Sequence, residues 1–132
     1  MSKYGQAAVN AVLLYTSGQA TSPRGAWKEA TAQLFGAGSE GQRKACPRDA
    51  FLGLCEENLI PGIPSAKYTR SKLNKEYALT AVGMLRTEPD LSQEDAAALW
   101  RRVQSDQEKA HNQQMDVVLS LWNGGYIREN KG

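Results

Sequence analysis

Hydrophobic positions along this chain recur at helical spacing, and no stretch alternates convincingly with a period of two. Residues 4–15 set Tyr4, Ala8, Ala11, Val12 and Tyr15 on one helical face. That run stops near Ser17-Gly18, where glycine can take the left-handed conformation after a last turn. A second helix opens with Ser22 as N-cap and Pro23 at its first position, and buries Ala26, Trp27, Ala30 and Leu34. The next segment, GAGSEGQRKA, has three glycines and no periodicity, and predicts an exposed, mobile loop. A third helix starts at Pro47 with Cys46 at the N-cap, turns Phe51, Leu54 and Cys55 inward, and cannot continue through Pro61 and Pro64. The stretch PGIPSAKYTR is then a connector running over the surface.

A fourth helix over about 72–87 repeats the buried spacing with Ala78, Ala81, Val82 and Leu85. Ser92 and Asp95 form an S-x-x-D capping box ahead of a fifth helix carrying Ala96, Leu99, Trp100 and Val103. Polar residues 104–109 interrupt that stripe. A sixth helix, about 112–123, buries Met115, Val118, Leu121 and Trp122 and ends at Asn123-Gly124-Gly125. The predicted fold is therefore all-α, with six helices.

The helices also match one another. At an offset of 70, Ala8, Ala11, Val12, Ser22 and Ala26 fall on Ala78, Ala81, Val82, Ser92 and Ala96, and the Trp27/Ala30 pair becomes Ala97/Trp100. At an offset of 67, Asp49, Leu52, Leu54 and Ile60 fall on Asp116, Leu119, Leu121 and Ile127. These matches predict an internal repeat, residues 4–60 and 74–127 joined by a connector over 61–73, forming two pseudo-symmetric three-helix units. Three helices cannot cover both faces of an amphipathic set alone, so the units should share one core and make residues 1–132 one domain. Trp27, Phe51, Leu54, Trp100, Leu121 and Trp122 are expected in it.

Composition narrows the setting. Two cysteines, Cys46 and Cys55, and one histidine, His111, make a disulfide framework or a Cys/His metal site improbable, so neither metal nor cofactor is expected and the compartment reads as a reducing cytoplasm. The first apolar run is too short for a membrane span. The net charge of +2 is unevenly spread: residues 41–75 hold seven Lys/Arg against three acids, residues 76–132 six against nine.

The phrases Cys46-Pro47, Phe51-Leu52-Gly53-Leu54-Cys55-Glu56, Tyr68-Thr69-Arg70-Ser71-Lys72, Asn74-Lys75-Glu76-Tyr77-Ala78 and Gln114-Met115-Asp116-Val117-Val118-Leu119 together resemble a family of small, uncharacterised bacterial proteins, a domain of unknown function. The resemblance covers nearly the whole chain. It implies a bacterial cytosolic protein of one domain and supplies no activity or functional residue.

Two stretches offer chemistry. Cys46, at a helix N-terminus and flanked by Lys44 and Arg48, has surroundings that favour a thiolate, against the simpler reading of a small capping residue; a nucleophile would also need a base, and His111 is the only histidine. The basic segment is the second. Lys72, Lys75, Arg70 and the hydroxyls of Thr69 and Ser71, with Tyr68 as a stacking surface and Asn74 at a helix start, are the parts of an anion site, which Arg43, Lys44 and Arg48 would extend if they share that face. Glu56 and Glu57 stand close enough in sequence to pair with this connector instead. Cys55 reads as core, His111 as a surface or capping residue, and the tryptophans as core residues rather than a base-stacking platform.

The reading that follows is a cytosolic, non-enzymatic binding module whose basic central surface engages an anionic partner, nucleic acid among the candidates. The alternatives are an enzyme of unrecognised class using Cys46, and a structural module that forms homo-oligomers.

Overall fold

Ser2 opens the first helix, α1 (Lys3–Thr16), by accepting the Gly5 N–H on its hydroxyl at 3.0 Å, and Gly18 at φ 82° follows the last turn. The structure, a computed structural model, describes residues 2–104 and 111–129. After α1 come α2 (Pro23–Phe35), α3 (Glu40–Arg43), α4 (Ala45–Glu56), α5 (Lys72–Thr87), a 3-10 turn over Pro89–Gln93, α6 (Ala96–Gln104) and α7 (Gln114–Asn123). Among the described residues the regular structure is all helical, with seven helices where the sequence pattern predicts six. The polar interruption expected at 104–109 lies, beyond Gln104, outside the described residues.

The differences from the sequence reading have local causes. The glycine-rich segment after α2 contains α3, one turn whose N–H at Gln42 is capped by Ser39 Oγ at 3.2 Å, while Gln42 Oε1 accepts from Gly38 N at 2.6 Å. Four residues are too few to show a period, and only the Ser-x-x-Gln spacing marks the turn. Helix α4 begins at Ala45 behind Lys44, so Cys46 is the second residue of its first turn and not the N-cap. Pro47 fits there because the first turn's N–H groups have no helical partner. At its far end α4 stops at Glu56, before either proline, because Asn58 turns left-handed at φ 61°. Ser92 does not cap α6: its hydroxyl donates to Pro89 O, and Asp95 Oδ1 receives the Ala98 N–H at 2.8 Å. The connector after α4 is only partly superficial, since Ile63 and Thr69 are buried.

Packing follows the apolar stripes. Helix α1 lies along α2 and α7, α4 along α5 and α7, and α6 against α5 and α7. One contiguous core gathers Val12, Trp27, Phe51, Leu54, Leu85, Leu99, Trp100, Met115 and Leu121, with Trp122 half-buried at its margin. Trp27 stacks between Tyr4 and Phe51, ring centroids 6.5 and 5.3 Å away. Burying an aromatic ring such as Phe51 contributes about 1.5–3 kcal/mol relative to exposure.

Two helix crossings are unusually close. At Gly53 a Cβ would lie 2.8 Å from Lys75 Cα, and at Gly5 it would lie 1.9 Å from Ser120 Oγ. Helices α4 and α7 also end alike. Leu59 N donates to Leu54 O at 3.1 Å and Tyr126 N to Leu121 O at 2.9 Å, with Asn58 and Gly125 (φ 81°) left-handed between them. The two chain segments that leave these caps meet where Arg128 N donates to Leu59 O at 2.7 Å.

Candidate functional site

Asp49 and Glu56 stand seven residues apart on α4, which puts two carboxylates on one helix face two turns apart. Both are buried, and both turn toward the connector. Glu56 Oε1 accepts the N–H groups of Tyr68 and Thr69 at 2.8 and 3.1 Å, and its Oε2 pairs with Lys75 Nζ at 2.5 Å. Burial opposes ionisation of Glu56, but the Lys75 ammonium and the two N–H donors outweigh it and hold the carboxyl at about 2. The partner Lys75 is raised, first by its bond to Glu56 and then by Glu57 at 2.6 Å. Thr69 Oγ1 donates to Asp49 Oδ1 at 3.0 Å and accepts from Ser71 N at 3.1 Å.

The Tyr68 and Thr69 amides and the Lys75 ammonium are thus taken up by the protein's own Glu56. The salt-bridge reading of Glu56 and Glu57 holds. Of the predicted anion-site residues, Thr69, Ser71, Lys72 and Lys75 line a recess of about 360 Å³ together with Glu56 and Glu57. Tyr68 donates its hydroxyl to Pro64 O at 2.6 Å. Asn74 donates to Ser71 Oγ and accepts from Gln114 at 3.1 Å, tying α5 to α7.

Arg48 and Arg70 lie on the other side of this seam. With Arg24 and Asp49 they line a cleft of about 410 Å³ between the start of α2, the first half of α4 and the connector. Arg48 lays Nε and Nη2 against Asp49 at 3.2 and 3.3 Å, and Arg24 Nη2 donates to Tyr68 O at 3.1 Å. Among the described residues no hydrogen bond or ion pair occupies the exposed guanidinium of Arg70. The sequence reading missed Arg24. Its signal was a cation in the first turn of a helix, where the macrodipole opposes positive charge.

Arg43 and Lys44 line a separate depression with Tyr4, Glu40 and Gly41. Lys44 reaches Gln113 Oε1 at 2.5 Å. It lies near His111 and Asp116 at the head of α7. His111 Nε2 accepts the Met115 N–H at 3.2 Å and its ring lies 5.4 Å from that of Trp100, so it caps a helix. Burial, aided by Lys44 and opposed by Asp116, lowers the His111 pKa; burial raises that of Asp116 against His111 and Lys44.

Cys46 is half-buried and makes no hydrogen bond with a base among the described residues. Cys55 is buried, and desolvation pushes its thiol up, as a core residue requires. Both cysteines are free. No group of three metal-ligating side chains comes together among the described residues, and no described helix is long and apolar enough to cross a membrane.

The chain belongs to a family of unknown function, DUF6979, whose model matches residues 1–128. That agrees with the resemblance drawn from the Cys46-Pro47 and Tyr68–Lys72 phrases, and the matched span takes in every residue of the cleft. No curated protein and no solved structure matches the chain.

Proposed function

We propose that this protein is a helical binding module, set in a bacterial cytosol, that takes an anionic, phosphate-bearing partner in the cleft between Arg24, Arg48 and Arg70. One observation carries the reading: among the described residues, three guanidinium groups from three separate segments line one cleft with a single carboxylate. Gathering like charges costs energy unless an anion offsets them. Internal acceptors hold two of the three in place, which lowers the ordering cost of binding. Nucleic acid, which carries such phosphates, is the polymeric candidate to test first.

Fluorescence anisotropy of a labelled single-stranded oligonucleotide, titrated at several salt concentrations, tests the reading. Three phosphate contacts predict a log–log salt slope of about −2, reduced by about 0.7 in Arg70→Ala. Binding that ignores salt, or its absence at low salt for both the oligonucleotide and inorganic phosphate, would sink it.

The finer architecture we propose is a duplication, α1-α2-α4 repeated as α5-α6-α7 about a two-fold axis. Three correspondences support it. The Gly53–Lys75 approach maps onto Ser120–Gly5 under the offsets 67 and 70. The matched caps of α4 and α7 follow the offset 67. Trp27 and Trp100, both buried, each stand five residues after the capping side chain, Ser22 or Asp95. That last relation sets the second helix at an offset of 73 and pairs Trp27 with Trp100, not with Ala97. Superposition of the two units in an experimental structure by a rotation far from 180° would remove the idea.

A further inference from the structure

Resting on that reading, we infer that the group this cleft selects is a terminal phosphate monoester in its dianionic form, in preference to the singly charged diesters of a nucleic-acid backbone. Among the described residues the cleft is lined by three arginines and Asp49, an excess of two positive charges. A phosphate monoester carries close to two negative charges at neutral pH, because its second proton leaves near pH 6. A diester link supplies one.

The donors suit a tetrahedral oxyanion. Arg48 commits Nε and Nη2 to Asp49, which fixes the plane of the guanidinium and leaves Nη1 uncommitted. Arg24 commits Nη2 to Tyr68 O and keeps Nε and Nη1. Arg70 keeps all five donors among the described residues. Three forks arriving from different elements can each meet a different oxygen of one phosphate, whereas a backbone phosphodiester presents only two free oxygens. Among the described residues the walls hold no aromatic ring to stack a base. Tyr68 contributes only its carbonyl, to Arg24, and its hydroxyl is turned to Pro64 O. Asp49 is then a positioning residue: itself buried, it orients Arg48 and, through Thr69, the start of the segment that carries Arg70.

The test compares ribose 5-phosphate with sulfate by calorimetry at pH 7.5 and 5.5, and an oligonucleotide bearing a 5′-phosphate with the same oligonucleotide bearing a 5′-hydroxyl. Affinity for ribose 5-phosphate should fall about fourfold at the lower pH, following loss of the dianion, while sulfate, a dianion at both, is unchanged. The 5′-phosphate should bind at least tenfold more tightly than the 5′-hydroxyl, and Arg70→Ala should erase the difference. Tight binding of ribose 5-phosphate with exclusion of the phosphorylated oligonucleotide would support the same site and assign it to small phosphates. Equal, salt-dependent binding of both oligonucleotides would overturn the monoester inference and leave the anion-binding reading standing. An equal fall for sulfate at pH 5.5 would also overturn it, since the change would then lie in the protein. Absence of binding to every probe at low salt would overturn both.

Discussion

Gly53 of α4 and Lys75 of α5 meet so closely that a methyl group at Gly53 would lie 2.8 Å from both Cα and Cβ of Lys75. This approach sets the spacing of α4 and α5, and therefore the reach of Lys75 Nζ to Glu56 and Glu57. Gly53→Ala should destabilise the protein by about 1–3 kcal/mol through overpacking, read as a lower midpoint in urea unfolding. An unchanged midpoint would mean that the helices separate freely.

The equivalent crossing of α1 and α7 allows a paired test. Gly5→Ala places its methyl 1.9 Å from Ser120 Oγ and should also destabilise by about 1–3 kcal/mol. Adding Ser120→Gly should restore part of the loss, because that hydroxyl is the nearest clash. Strict additivity of the two substitutions would refute the contact.

Glu56 predicts an acid limb. Its folded pKa of about 2 lies below the ordinary 4.5, so its contribution is present in full above pH 4.5 and is lost as pH falls toward 2. Glu56→Gln should cost about 2–4 kcal/mol at neutral pH, because Lys75 and two N–H groups lose their acceptor charge. It should also flatten the stability profile between those pH values.

His111 predicts a second, milder dependence. Its folded pKa is lowered below 6.5, so the unfolded chain binds the proton more readily and stability falls as pH drops through that value. Chemically, a protonated ring can no longer accept the Met115 N–H. Asp116 acts with the opposite sign, losing stability as pH rises above 3.8, so the comparison belongs between pH 5.5 and 7.5. His111→Asn should remove most of the slope there; an identical slope would assign it elsewhere.

Arg70 and Arg48 should separate binding from stability. Arg70→Ala removes an exposed side chain and should shift stability by less than about 0.5 kcal/mol. Arg48→Ala leaves Asp49 buried with Thr69 as its one side-chain donor among the described residues and should cost about 1–3 kcal/mol. Equal losses in denaturant titrations would show that the cleft is a structural ion network instead.

The cysteines give a direct test of the reading that uses Cys46 as a nucleophile. Native iodoacetamide labelling should modify the half-buried Cys46 and spare Cys55, with both reacting in denaturant. A native rate far above that of a small free thiol would favour catalysis by Cys46.

The sequence by itself determined six of the seven described helices, α3 excepted, and most of their ends to within a residue or two. Apolar spacing depends on local geometry, and Ser22-Pro23, Gly18 and Gly125 carry their backbone preferences wherever they lie. It also marked the segment from Tyr68 to Lys75 as rich in anion-pairing groups, because hydroxyls, cations and free N–H groups are legible residue by residue. Only the tertiary structure decided which of these groups the protein's own carboxylates take up and which they leave. Glu56, buried by the α4–α5 crossing, claims the Tyr68 and Thr69 amides and Lys75, while Arg70 is turned to the other side, beside Arg48 and Arg24. Arg24 and Arg70 are 46 residues apart. No local pattern encodes that separation, because their meeting depends on how α2 and the connector pack against α4.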